Sequence, residues 1–394
     1  MNTYRQVLRI TRTGAEERLA GNIKTVQLIL TAQCNSRCSY CYQTAKKSLR
    51  MEWGVLQASI DLAAASPSEK IWLVFLGGEP LLEFPRIREA VAYAAGKAAR
   101  EKTCQYKIST NGLVIDEGIA SFLDEHRFEV HLSFDGIPEA QDHRTQGSFP
   151  VIDRLINRLK HRHPRMYERR FRICMTLIPA TIPYLARSFH YLRKKEVGSV
   201  SISPSVLPHP EWSLEQIKEL DEQFAQVYTE SLSHLERTGD VPMRFLRKRK
   251  GDSGPRPAGG PMCGLPSGTQ VAVDADGQVY GCASLAESYQ EFPRHFHMSR
   301  LAPLRMGDLR DPLFPARLAA FPEMTHRAGI FHHREEKYSS YGKCSDCTYS
   351  NACAVCPVSI GLDPRNTDPH RVPDFFCAFN QVALKYRSRF PPIY

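Results

Sequence analysis

The sequence predicts an α/β fold in two parts, and three observations carry that expectation. Strand-like and helix-like stretches alternate six times between about residue 25 and residue 240. A Gly- and Pro-rich break, Gly251 to Gly260, follows. Beyond it the chain turns irregular and holds seven of its twelve cysteines, as expected where metal replaces an apolar core.

Apolar runs predict strands over 26–31, 71–76, 106–110, 128–134, 172–177 and 199–205. Amphipathic stretches predict helices over 54–65, 84–99, 116–126, 151–162 and 182–195. A long polar helix over 213–238 follows, and a closing helix over 374–389 ends the chain. Six such repeats imply a parallel sheet with helices outside it, as an open barrel or a doubly wound sheet, with chemistry at the C-terminal strand ends. The expected division is an extension over 1–23, a first domain over 24–240, a basic and Gly/Pro-rich linker over 241–261, and a cysteine-rich domain over 262–394.

A chain of 394 residues can bury a large core, and its charged and apolar fractions are those of a globular protein. The start shows no signal peptide, and no stretch approaches the length that crosses a bilayer, so a cytoplasmic location away from membranes is expected. Clustered cysteines there point to metal rather than disulfides. Cys104 and Cys174 stand alone in strand-like surroundings and read as core residues. The formal charge of +10 favours acidic partners. Its denser runs, 160–163, 169–172 and 244–250, read as solvated surface or as a docking face for an acidic peptide or electron carrier. No nucleic-acid motif accompanies them.

Cys34, Cys38 and Cys41 follow the first strand at C-x3-C-x2-C spacing. Three thiolates can hold three irons of a four-iron cluster and leave the fourth open to a ligand. A structural zinc loop would want a fourth ligand nearby, and none is near this triplet. The second strand ends in Gly77-Gly78-Glu79-Pro80, whose glycines allow close approach to a ligand and whose carboxylate suits an ammonium group. The third ends in Thr110-Asn111-Gly112, a turn with polar groups facing the cavity. The fourth ends in Ser133-Phe134-Asp135-Gly136, with Arg144 downstream.

Together the cysteine triplet, Tyr40 before its last member, and Gly77–Pro80 resemble the radical S-adenosylmethionine (SAM) enzymes. The resemblance implies a partial (β/α)6 TIM-like barrel. It also implies a [4Fe-4S] cluster on Cys34, Cys38 and Cys41, with SAM held by Tyr40, Gly77, Gly78, Glu79, Pro80, Ser133, Asp135 and Arg144. The activity it implies is reductive cleavage of SAM to a 5′-deoxyadenosyl radical that abstracts hydrogen from a substrate, with electrons from a flavodoxin- or ferredoxin-type donor.

In the second part Cys263, Gly277 and Cys282 bracket a predicted hairpin. Cys344, Cys347, Cys353 and Cys356 form a quartet, and Cys377 comes last. Alone, the quartet could bind zinc, leaving the other three cysteines unexplained. The layout resembles the SPASM extension of radical SAM enzymes, an irregular α+β domain. That resemblance implies one auxiliary iron–sulfur cluster on Cys344, Cys347, Cys353 and Cys377, and an inner one on Cys263, Cys282 and Cys356. Two departures stand out: two residues rather than three separate Cys353 from Cys356, and no eighth cysteine offers the inner cluster a fourth ligand.

The functions that follow differ in substrate. Modification of a ribosomally made peptide, by crosslinking or oxidation, fits best, with leader recognition by a separate protein or by the SPASM region, or with no leader at all. Sulfatase maturation loses its expected base, because Ala283 stands after Cys282 where the maturases carry Asp. Small-molecule cofactor or antibiotic biosynthesis is the further alternative, and a metal-binding scaffold the non-enzymatic one. No catalytic acid or base is assigned. A histidine-bearing stretch over 331–336 reads as an exposed loop.

Overall fold

A computed structural model describes residues 22–43, 46–97, 103–207, 215–248, 267–289, 304–327, 336–353 and 368–392, with 209, 211–213, 265, 355, 356, 358, 360 and 366 between them. Cys263, the 331–335 stretch, nearly all of the 1–23 extension and the Gly/Pro-rich break lie outside these residues.

The six predicted repeats are present. Strands β1 (Thr25–Ile29), β2 (Lys70–Leu76), β3 (Thr103–Thr110), β4 (Glu129–Ser133), β5 (Phe171–Leu177) and β6 (Val200–Pro204) pair in parallel in chain order. Helices α1 (Trp53–Ala65), α2 (Phe84–Lys97), α3 (Glu117–Glu125), α4 (Phe149–Arg162) and α5 (Leu185–Lys194) connect them. The long helix α6 (Gln216–Thr238) stops at Gly239, which takes the left-handed conformation at φ 73°.

Along β3, β4 and β5 one face is mostly apolar and buried, and the other is half-buried and largely polar, whereas the second face of β2 carries Trp72, Val74 and Leu76. In β5, Phe171, Ile173, Met175 and Leu177 are buried, while Arg172, Cys174 and Thr176 alternate with them on the inner face. The apolar face packs on the helices, and the polar face lines the lumen of a partial barrel. This corrects the reading of Cys174: the pleat places it on the lumen face with Arg172 and Thr176. Cys104 does pack against the apolar core.

The sheet continues past the expected linker. A hairpin, β7 (Gln270–Val273) and β8 (Gln278–Tyr280), attaches through a parallel β1–β7 pairing, and β9 (Arg305–Asp308) follows β8. The order is therefore β6-β5-β4-β3-β2-β1-β7-β8-β9. Among the described residues two α-helices follow, α7 (Phe314–Arg327), within the part read as irregular, and the closing helix α8 (Asp374–Arg389), whose bounds are those predicted. Helix α8 lies on α6: Phe224 meets Phe379 edge-on at 5.5 Å, and Lys385 Nζ lies 2.7 Å from Asp221. One apolar cluster thus spans both parts of the chain. A second, small cluster, Val355, Ile360 and Val372, sits among the last cysteines. Among the described residues no helix is long and apolar enough to cross a membrane.

Candidate active site

The loops at the C-terminal ends of β1 to β4 converge, and the chain's own backbone holds them. Gly78 N–H donates to Thr31 O and Glu79 N–H to Gln33 O, each at 2.8 Å, so the Gly-Gly turn lies flat on the segment that leads into Cys34. A Cβ on Gly77 would fall 2.5 Å from Thr31 O, and one on Gly78 2.6 Å from Ala32 O and closer still to Gln33 O. The glycines are therefore needed for contact with the cysteine loop itself, a close approach that the sequence alone had assigned to a ligand. Gln43, just past Cys41, donates from Nε2 to Gly77 O at 3.0 Å and closes the clasp from the other side.

Glu79 is completely covered. Its Oε1 accepts from Leu81 N–H at 3.0 Å and Thr110 Oγ1 at 2.8 Å, and its Oε2 from Asn111 N–H at 2.7 Å. Burial pushes this carboxyl up to about 7, against the three donors that favour its ionised form. Its first task is to buckle the end of β2 to the end of β3. Three of about four acceptor sites on a carboxylate are then used, leaving room for one more donor.

Asn111 extends the buckle into the cysteine loop. Its Nδ2 lies 2.7 Å from Asn35 Oδ1, 3.0 Å from Ser36 Oγ and 3.8 Å from Cys34 Sγ. The Asn-Gly turn signal identified a turn here and gave no sign of that link.

Asp135 is 2 % exposed and Arg144 7 %. The guanidinium meets the carboxylate side-on, Nε to Oδ2 at 3.2 Å and Nη2 to Oδ1 at 2.9 Å. Tyr40 OH donates to Oδ2 as well, and Thr176 N–H to Oδ1 at 2.8 Å. The Arg144 guanidinium also lies over the Tyr40 ring, 5.4 Å from its centre. These contacts fix the orientations of Arg144 and Tyr40. Ser39 N–H donates to His143 O at 2.9 Å, tying the cysteine loop to the same segment. Ser133 ends β4 on its half-buried face, level with Cys174 across the ladder.

Cys34, Cys38 and Cys41 are half-buried and form no disulfide. Burial raises the thiols of Cys34 and Cys38. The Ser36 N–H, 3.3 Å from Cys34 Sγ, opposes the rise at the first, and Arg144 opposes it at the second. Among the described residues no three His, Cys, Asp or Glu side chains converge tightly enough to hold a single metal ion. A four-iron cluster, which takes each thiolate on a separate iron, suits the half-buried triplet.

The later cysteines divide in two. Cys344, Cys353 and Cys377 pack on the small cluster around Val355, and Cys347 lies close enough to Cys377 to raise its thiol, although burial is the larger cause. Cys282 and Cys356 pack against the main core instead.

This arrangement defines a class. Residues 28–182 match the model of the Radical SAM superfamily, and that match implies SAM and a [4Fe-4S] cluster as cofactors. The cysteine-rich C-terminal part fits auxiliary clusters. The chain is 27 % identical to an uncharacterised protein of Methanocaldococcus jannaschii over 269 residues, 68 % of this chain and 87 % of that one. It is 25 % identical to the cysteine-type anaerobic sulfatase-maturating enzyme of Clostridium perfringens over 176 residues, 41 % of this chain and 46 % of that one. The fold resembles the structure of anSMEcpe with bound AdoMet and the Kp18Cys peptide, at TM-score 0.69 and 17 % identity, covering 93 % of this chain and 97 % of that one. It also resembles Streptococcus suis SuiB bound to the precursor peptide SuiA, at TM-score 0.55 and 13 % identity, covering 95 % and 79 %.

Proposed function

We propose that this chain is a peptide-modifying radical SAM enzyme. The observation that carries the reading is the clasped cysteine loop, which sits beside Glu79 and the Asp135–Arg144 pair at the open end of the barrel. Cys34, Cys38 and Cys41 would hold the cluster, which when reduced would supply the electron for cleavage of SAM and so for hydrogen abstraction from the substrate.

The protein's own groups bind and orient. Glu79 offers its remaining acceptor site to SAM's ammonium group, whose positive charge favours the ionised carboxylate that burial disfavours. Arg144 has Nε and Nη2 committed to Asp135, which leaves Nη1 for SAM's carboxylate. Tyr40, Gly77, Gly78, Pro80 and Ser133 complete the surround, and Tyr40 is locked by its bond to Asp135. Cys344, Cys347, Cys353 and Cys377 hold the outer auxiliary cluster, while Cys263, Cys282 and Cys356 hold the inner one. The two apolar settings of the described cysteines support that division. Electrons come from a flavodoxin- or ferredoxin-type protein.

The peptide substrate is supported by the likeness in fold to two enzymes whose structures hold peptides. At the position after Cys282 the buried Ala283 offers only its backbone N–H, which donates to Gln27 Oε1 at 3.1 Å. A maturase-type carboxylate base is therefore absent from that position, which favours other peptide chemistry over formylglycine formation.

The test is anaerobic reconstitution with iron and sulfide, followed by dithionite, SAM and any short peptide found to be encoded beside the gene. The expected result is 5′-deoxyadenosine together with loss of hydrogen mass from one peptide. Clusters without 5′-deoxyadenosine would sink the radical reading. 5′-Deoxyadenosine without any altered peptide would sink the peptide substrate.

A further inference from the structure

The lumen face of the barrel carries an excess of positive charge below the site just described. Lys107 on β3 stands opposite Glu129 on β4, and His131 on β4 stands opposite Arg172 on β5. Glu129 is the one carboxylate of this group among the described residues. Lys107 Nζ lies 3.3 Å from it and 4.6 Å from the centre of the Trp72 ring, and His131 Nε2 lies 3.8 Å from it. His131 and Lys107 hold the Glu129 carboxyl down to about 2, so its charge is already committed.

Arg172 lies outside ion-pair reach of that carboxylate and feels it only as a weaker, more distant attraction. Among the described residues no carboxylate comes within ion-pair distance of it, and its Nε is buried without a hydrogen-bond partner. Burial, together with Arg244 beneath β6, works against its charge. A guanidinium left in this state is costly, and an anion that entered the lumen would relieve the cost. Other members of the basic runs are satisfied locally: Arg170 pairs with Asp124, and Lys160 lies 2.8 Å from Glu196. Arg172 is the member that the pleat turns inward.

We propose that Arg172, with Arg244 nearby and Lys107 two strands away on the same face, anchors a carboxylate of the substrate at the base of the lumen. The inference rests on the peptide reading and names its substrate class, a peptide bearing an acidic side chain or a free C-terminus. Thr176, which contacts Arg144, lies four residues up the same strand from Arg172. At the rise of a β-strand that is roughly 13 Å, the span of about four extended peptide residues. An anchored acid at the base therefore presents a carbon a few residues away to the open end, where the radical forms.

The experiment is equilibrium dialysis of reconstituted, SAM-loaded holoenzyme against four probes. They are N-acetylglutamic acid α-amide, with only a side-chain carboxylate; N-acetylglycine, with only a terminal one; neutral N-acetylglutamine amide; and inorganic phosphate. One or both carboxylates should bind better than the neutral amide and phosphate, and which of them binds identifies the source of the acid. Arg172→Gln should weaken that binding roughly tenfold, the scale of one charged hydrogen-bonded contact, with partial recovery in Arg172→Lys. Arg170→Gln, on the outer run, should leave it unchanged and controls for lost surface charge. Carboxylates that bind no better than the amide, equal binding to Arg172→Gln, or a preference for phosphate would each overturn the anchor. Arg172-dependent binding with no peptide modified would overturn the peptide reading alone. A modified peptide whose binding ignores Arg172→Gln would overturn the anchor alone.

Discussion

The two groups of cysteines are held in opposite ways. Around Cys34, Cys38 and Cys41 the protein supplies its own framework: paired backbone bonds to the Gly77-Gly78 turn, the buried buckle of Glu79, the reach of Asn111, and the Asp135–Arg144 pair with Tyr40. Around Cys344, Cys347 and Cys353 there is a three-residue apolar cluster, a two-stranded ladder of two residues each, and short turns closed on the cysteines' own backbones. One region is a binding site built before its ligand arrives. Among the described residues the other buries little apolar surface of its own, so a bound cluster would serve as part of its core.

Metal removal should separate them most sharply. Chelation of the reconstituted protein should abolish hydrogen-exchange protection over 336–356, while the strand ends at 31–33 and 76–80 keep theirs. A structural metal centre in a small motif contributes on the order of 10 kcal/mol, more than such a segment's own packing supplies. Equal loss in both regions would show that the first framework also depends on its cluster.

Within the first region the largest single effect should come from Asp135→Asn. It leaves Arg144 buried without its counter-charge and loosens Tyr40, a loss on the order of 3–5 kcal/mol in denaturant unfolding. SAM affinity should fall with it while the iron held by Cys34, Cys38 and Cys41 stays. Gly78→Ala should cost less stability, about 1–3 kcal/mol, because the backbone can shift to relieve the clash. Its effect on function should be different in kind: the clash falls on the segment before Cys34, so iron content should drop. If Gly78→Ala kept full iron and lost only SAM binding, the glycines would serve the ligand and the backbone clasp would be incidental.

The sequence shows why these tasks were unequally legible. Strand alternation and glycine stops are local properties, so the repeats, the closing helix 374–389 and the cysteine spacings could be read directly. Glu79 was identified as a site residue because its motif is contiguous. Its bonds to Thr110 and Asn111 come from 31 and 32 residues away and leave no local trace. The same holds for Tyr40 and Asp135, 95 residues apart, which could be named singly but not as a pair. Arg172 sat within a run read as surface, and Cys174 within one read as core. In both cases composition suggested a setting, and the pleat of β5 decided the face. The parallel docking of β7 on β1 is likewise a long-range event, and it joins the second part of the chain to the first sheet.

The finest distinction between a built site and a ligand-made one concerns the charge on Glu79. Its carboxyl titrates near 7 in the folded chain, above the usual carboxylate value, chiefly because it is buried. The protonated form is therefore the one that folding favours. That stability is complete below the ordinary carboxylate pKa and is lost as pH rises through about 7. Wild type and Glu79→Gln, whose amide resembles the protonated acid, should have similar thermal midpoints at pH 5, and wild type should fall below the variant by pH 8. SAM should restore part of the difference in wild type only, because its ammonium group would supply the charge that burial withholds from the carboxylate. If SAM raised both proteins equally at pH 8, Glu79 would be a buckle between two strands and nothing more, with the amino group held by the backbone of the Gly77-Gly78 turn.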